Sequence, residues 1–228
     1  MSAPTARPLL RDPASVEEAV RIQEQLRPSV IRTRTFDRLS TIGAIDCAHA
    51  SSSPLGVAGI MIYRYPELIE LSHTVVEHPV RFPYVPGLLA FRELPLILAA
   101  IESLSQLPDL FLVDGQGIAH PRRLGIASHL GLVIDRPTIG CAKSILVGQA
   151  KMPVDERGRF TELRDGPETI GALVRTRKGS KPLVVSIGHR IDLASSLDIV
   201  LSCSDGTHRL PKPLAEADRL VRGRVQVR

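Results

Sequence analysis

FLVDGQGIAHPRRLGIASHLGL, residues 111–132, is the stretch on which the fold turns. An apolar run stops at Asp114 and turns on Gly115 and Gly117. It then passes His120, Arg122 and Arg123 before resuming as an apolar pattern with helical spacing. Short apolar run, glycine turn, amphipathic run: the order predicts a buried strand, a loop and a helix. A buried strand that ends in a carboxylate is either a tight turn or the floor of a metal-dependent site.

Working outward, DPASVEEAVRIQEQLRPSV (12–30) carries acids in its first turn and apolar residues at helical spacing, which predicts a helix ending before Pro28. LSTIGAIDCAHA (39–50), GVAGIMIYRY (56–65) and LIELSHTVVEHPV (68–80) read as three strands. Their short connections, the first of them a turn over Ser51–Pro54, predict an antiparallel meander. LLAFRELPLILAAIESL (88–104) has helical spacing despite Pro95. PDLFLVDGQG (108–117) is then strand and loop, RRLGIASHLGLVI (122–134) helix and PTIGCAKS (137–144) strand. The charged segment 153–166 reads as an exposed excursion. GALVRTR (171–177) and KPLVVSIG (181–188) are strand candidates, and DLASSLDIVLSC (192–203) and LPKPLAEADRLVR (210–222) are helices. Strands first, then strands alternating with helices, predict an α/β fold: a mixed sheet with helices on its faces and ligands at its strand ends.

At 228 residues, 43% hydrophobic and 23% charged, the chain can bury one sizeable core, so a single domain over 1–228 with an N-terminal tail of about ten residues is expected. No apolar run nears the roughly 18 residues of a membrane span. The start, MSAPTARPLLRDPAS, lacks the apolar centre of a signal peptide, so a cytoplasmic location is expected. Cys47, Cys141 and Cys203 are odd in number and show no CxxC spacing, which leaves no disulfide framework or zinc knuckle. With no Trp and 4% aromatics there is no stacking platform for single strands. The net charge of +5 points only weakly to a polyanion.

Chemistry resides in the polar residues that interrupt apolar runs. Asp46 sits inside TIGAIDCAHA, Asp114 ends LFLVD, and Glu93 lies early in an apolar helix. An ionised carboxylate buried without a partner costs several kcal/mol, so each needs a hydrogen-bond network or a cation. One such residue is more often a turn or salt-bridge residue; three shift the balance toward a shared metal. Carboxylates and water suit magnesium, with manganese as substitute, rather than zinc. Lys143, in IGCAKS, either reaches solvent along a packed stem or sets its charge on a phosphate or developing oxyanion. Such a set suits phosphodiester hydrolysis. Neither GxxxxGK[ST] nor GxGxxG occurs, so nucleotide-triphosphate and NAD chemistry lose their usual marker.

IGAIDCAHA, FPYVPGLLAFRE, LVDGQGIAHPRRLGIASHLGL, IGCAKS and SIGHRIDL, in this order, resemble the endonuclease V family, with similarity from about residue 15 to about residue 222. The resemblance implies an RNase H-like fold and a magnesium-dependent endonuclease. It implies recognition of deoxyinosine in DNA and hydrolysis of the second phosphodiester bond on its 3′ side, leaving 3′-hydroxyl and 5′-phosphate ends. By position, Asp46, Glu93 and Asp114 match the metal-binding carboxylates and Lys143 the active-site lysine. Asp218 matches a terminal His or Asp beside the metal. The terminal motif departs from the family's usual LPEPTR: here it reads LPKPLAE, with Lys212 at an acidic position. FPYVPG matches a wedge loop, in which Pro83, Tyr84, Val85 and Pro86 make a stiff tip able to fill the space of a flipped base. The base would meet Gly87, Gly115 and Gly125, with Leu89, His120, Ile126 and Leu146 nearby; glycines there admit close approach.

Three readings follow. The first is a DNA-repair endonuclease on inosine, acting as a monomer. The second keeps the chemistry with inosine-containing RNA as substrate. The third is a non-catalytic module for damaged DNA, against which the carboxylates and Lys143 argue. A general nuclease, or a hydrolase built on Cys47 and His49, ranks lower. His49, Arg122, Arg123, His189 and Arg190 carry no assigned role.

Overall fold

The structure, a computed structural model, describes residues 13–50 and 53–226. The expected N-terminal tail and the first two serines of the 51–54 turn lie outside them. The predicted meander forms: β1 (Thr41–His49), β2 (Leu55–Arg64) and β3 (Ile69–Pro79) pair antiparallel. The helix α2 (Leu89–Glu102) then crosses to β4 (Leu110–Asp114), which lies parallel to β1. A second crossover, α3 (Ile126–Ile134), leads to β5 (Thr138–Ala142), parallel to β4. The strands β6 (Phe160–Asp165), β7 (Glu168–Val174) and β8 (Leu183–His189) complete one eight-stranded sheet in the order β3-β2-β1-β4-β5-β8-β7-β6. The N-terminal helix α1 (Val16–Leu26), capped by the Ser15 hydroxyl at the Glu18 N–H, runs into a short 3-10 turn over Arg27–Ser29. The chain closes with α4 (Leu193–Ser202), capped by Asp192, and α5 (Lys212–Gln226).

Two boundaries differ from expectation for physical reasons. The segment 153–166 is not wholly an excursion. It contains β6, an edge strand in which Leu163 alone is buried, so its alternation is hidden by charge. The helix expected from Arg122 starts at Ile126, because Arg123 adopts φ +56 in the preceding turn. Its guanidinium bonds Glu168 and Asp165 at 2.7 Å each, tying the turn to the β6–β7 hairpin. Pro95 lies inside α2 without ending it.

Strand period assigns the two faces of the sheet. Ile42 and Ala44 of β1, Leu110 and Leu112 of β4, and Ile139 and Cys141 of β5 pack in one core with Leu197 and Val200 of α4 and Leu214 and Ala217 of α5. Ile45, Phe111 and Val113 point the other way, into a second core with Leu94 and Ile97 of α2 and Leu130 of α3. No helix among the described residues is long and apolar enough to cross a membrane.

Candidate active site

The same period carries the polar residues to one place. Asp46 follows Ala44 by two residues, Asp114 follows Leu112 by two, and Lys143 follows Cys141 by two. All three therefore face α5 at the carboxyl ends of adjacent strands, where an open α/β sheet gathers its ligands. From the other side, α5 buries Leu214, Ala217 and Val221. Asp218, one turn beyond Leu214, sits on the flank of that stripe. Carboxylate oxygens of Asp46, Asp114 and Asp218 lie within 4.8 Å of one another.

Three carboxylates so close repel, and Asp46 and Asp114 are both held above the usual carboxylate range. Burial, and next the charge of Asp114, push Asp46 up to about 8. Burial likewise pushes Asp114 up, against the opposing charge of Lys143. Lys143 Nζ donates to Asp114 at 2.5 Å and to Asp218 at 3.2 Å, and Arg222 pairs with Asp218 at 2.9 Å. The cluster is thus a partly desolvated, acceptor-rich pocket whose three acids Lys143 and Arg222 only partly balance. Hard oxygen donors in this arrangement fit a divalent cation such as magnesium or manganese.

Glu93 reaches the same cleft from the opposite layer. It is 8% exposed, and its Oε1 accepts from His49 Nε2 at 3.1 Å. Burial pushes its pKa up, against the bond from His49. His49 lies on the α2 face because it follows Ile45 and Cys47 at period two. The cleft, of about 510 Å³, is lined by Asp46, Glu93, Asp114, Lys143 and Asp218, so the five expected active-site residues share one space. Three converge as a cluster, while Glu93 stands apart on its histidine.

Beyond Leu89 a second cavity opens, of about 180 Å³. Every residue expected to meet a base lines it except Pro83. Tyr84 stands 68% exposed at the loop tip, whereas Val85 packs with Phe82 against Leu88 and Phe91. Gly125 cannot carry a side chain, since a Cβ there would lie 2.2 Å from the Gln116 carbonyl oxygen. Gly87 adopts φ +80, a region that favours glycine.

The loop is anchored at both ends, by Arg92 Nη1 donating to the Phe82 carbonyl at 3.0 Å and by three donors at Gly87. The Gly87 carbonyl accepts from His120 Nε2 at 2.8 Å, Arg122 Nη2 at 2.9 Å and Gln23 Nε2 at 3.0 Å. Gln23 also donates to Leu124 O and accepts from Arg122 Nε. His120 Nδ1 accepts from the Arg122 N–H at 3.1 Å, so both ring nitrogens are engaged and the ring is neutral, pushed down to about 4 chiefly by burial. Arg122 and His120 therefore shape the cavity wall, and Arg123 is an ion-pair partner. His189 accepts from the Ile31 N–H, and Arg190 pairs with Asp135. Sequence reasoning missed Gln23, whose one signal is an amide four residues after Ala19 on a buried stripe. It also missed Gln116, which lines the cavity and donates to Ser144 O at 2.8 Å.

Residues 24–219 match the Endonuclease V family. The endonuclease V of Dehalococcoides mccartyi (strain BAV1) is 45% identical over 88% of this chain and 89% of that protein. The crystal structure of endonuclease V from Streptomyces avermitilis superposes with a TM-score of 0.88 at 37% identity, covering 94% of this chain and 95% of that one. That of Ciona intestinalis endonuclease V, solved with a 24mer DNA containing an inosine followed by a ribo-adenosine, gives 0.81 at 26% identity, covering 93% and 98%. Shared sequence over nearly the whole length and a shared sheet lead to one conclusion: the chain belongs to the Endonuclease V family of nucleases.

Proposed function

We propose that this chain is a magnesium-dependent endonuclease that takes an inosine from a DNA strand into the cavity behind the wedge loop. It hydrolyses the second phosphodiester bond on the 3′ side, leaving 3′-hydroxyl and 5′-phosphate ends. One observation carries the reading: a cavity well below the roughly 300–1,000 Å³ of pockets for drug-sized ligands opens directly beside the carboxylate cluster, with Leu89 in both walls. A single base fits the first space while a nearby phosphate meets the second. The Ciona relative, solved with inosine-containing DNA, supports the choice of base. Cutting beside a deaminated adenine is a DNA-repair activity, which we assign to a cytoplasmic monomer.

Asp46, Asp114 and Asp218 would hold the cation, and manganese would substitute for magnesium. When bound, the ion supplies Lewis acidity and a water of lowered pKa. The chain's own groups do the rest. Lys143 places a positive charge beside the acids where negative charge grows on the phosphate. His49 fixes Glu93 toward the cleft. Tyr84, with Pro83 and Pro86 stiffening the loop, occupies the space the base leaves.

The test pairs wild type with Asp114→Asn on strands that differ only in inosine or adenine. Wild type should cut the inosine strand selectively, and the variant should lose at least about a hundredfold in rate. Binding without metal should persist, because the substitution removes a negative charge that repels phosphate. Wild-type cutting by the variant would end the assignment of the cluster. Equal cutting of both strands would end that of the cavity.

A further inference from the structure

A third hollow adjoins the carboxylate cleft on the side away from the base cavity. Of about 550 Å³, it lies between α5 and the 208–210 segment. It shares Lys143, Asp218 and Arg222 with the cleft and no lining residue with the base cavity. Its other charged or titratable walls are His208, Arg209 and Arg219, so Asp218, already bonded by Lys143 and Arg222, is its only carboxylate.

The groove lining carries more positive charge than its one carboxylate balances. Arg32, Arg123, Arg159, Arg164 and Arg190 are each matched to a carboxylate. Arg219, exposed on α5, has no ion pair among the described residues. Arg209 Nη2 spends its bonds on the carbonyls of Lys143 and Pro182, which hold the guanidinium in place without neutralising it. A fixed arginine and a free one facing a groove beside a phosphate-cutting cleft form a track for a polyanion.

The order of the three hollows sets a direction. With the base in the first and the cut bond, on its 3′ side, in the second, only the 3′ continuation of the strand can enter the third. We propose that this groove binds the sugar-phosphate backbone just 3′ of the cut, with Arg219 and Arg209 contacting its phosphates. The strand therefore runs 5′ to 3′ from wedge loop to α5. This inference rests on the proposed function and deepens it. After cutting, the same groove holds the fragment that carries the new 5′-phosphate.

The experiment measures binding of labelled single strands by fluorescence anisotropy in EDTA over a range of salt, so that no cutting intervenes. Inosine strands ending one nucleotide past the expected cut are compared with strands extended on the 3′ side or on the 5′ side. Wild type should gain salt dependence with the 3′ extension. Arg219→Gln should lower the log–log slope by about 0.7, one single-strand phosphate, on the 3′-extended strand and not on the short one. Arg219→Lys should restore it. An unchanged slope, an equal loss on short and long strands, or a loss confined to 5′ extension would overturn the groove or its direction. The base reading fails separately, if adenine in place of inosine leaves wild-type affinity unchanged. Arg219→Gln would then still lower the slope on any long strand if the groove is real.

Discussion

Replacing Asp46 by Asn should stabilise the metal-free protein while destroying its cutting. The Asn Oδ1 can keep the bond from the Cys47 N–H, now 2.8 Å, so the substitution mainly removes charge. Asp46 is 9% exposed and is raised from 3.8 to about 8 by burial and by Asp114. The folded state therefore holds a proton that the unfolded state releases. Stability from this group is present at low pH and is lost as pH rises from near 4 through about 8. Each pH step in that window is worth at most about 1.4 kcal/mol. Allowing for the coupling to Asp114 and Lys143, the advantage of the variant should grow by about 1–3 kcal/mol between pH 6 and pH 8. For a chain this size that is about 3–10 °C in melting temperature. Thermal unfolding in EDTA, followed by circular dichroism across this range, reads the gap directly. Magnesium should raise the wild-type melting temperature and do little for the variant. A variant less stable than wild type in EDTA, or a gap independent of pH, would refute the claim that the acids strain one another without a cation.

Other outcomes follow from the cavity and its supports. Tyr84→Ala, at an exposed tip, should change stability by less than about 0.5 kcal/mol yet weaken binding of inosine duplexes more than of inosine single strands. Gln23→Ala should cost about 1–3 kcal/mol, since it strips buried partners from Arg122 and Leu124, and should erode inosine selectivity more than metal affinity; intact selectivity would contradict its anchoring role. His120 and His189 are held neutral, both down to about 4 from 6.5 chiefly by burial. Their contribution is complete above pH 6.5 and is lost as pH falls toward 4. That slope opposes the one from Asp46, so the stability of Asp46→Asn should fall more steeply than that of wild type as pH drops from 6.5 toward 4, until the two converge.

How much of this could be read in the sequence depended on the period of each element. Asp46, Asp114 and Lys143 each stand two residues beyond an apolar neighbour in a strand, and a strand's period of two is short enough to place them on one face. Asp218 was harder. Its position depends on the rotation of α5 over the sheet, and the LPKPLAE motif offered a poorer guide than the strand motifs. Glu93 was legible as a buried acid but not as the partner of His49, which required the packing of α2 on β1. Arg122 and Arg123 read as the start of a helix because no local signal announces the positive φ at Arg123. The strand β6 was hidden because an edge strand with one buried residue shows no alternation. Gln23 serves two loops far away in sequence, Gly87 and Leu124, and nothing local to α1 encodes either.

The most direct test maps the ends produced from a duplex carrying one inosine, with magnesium and then with EDTA, beside an adenine control and an inosine RNA of the same sequence. The account predicts one magnesium-dependent nick in the inosine DNA, at the second bond on the 3′ side, with a 5′-phosphate on the downstream fragment. Cutting that persists in EDTA would contradict the metal cluster, cutting of the adenine control would contradict the base cavity, and cutting of the RNA alone would make this a ribonuclease.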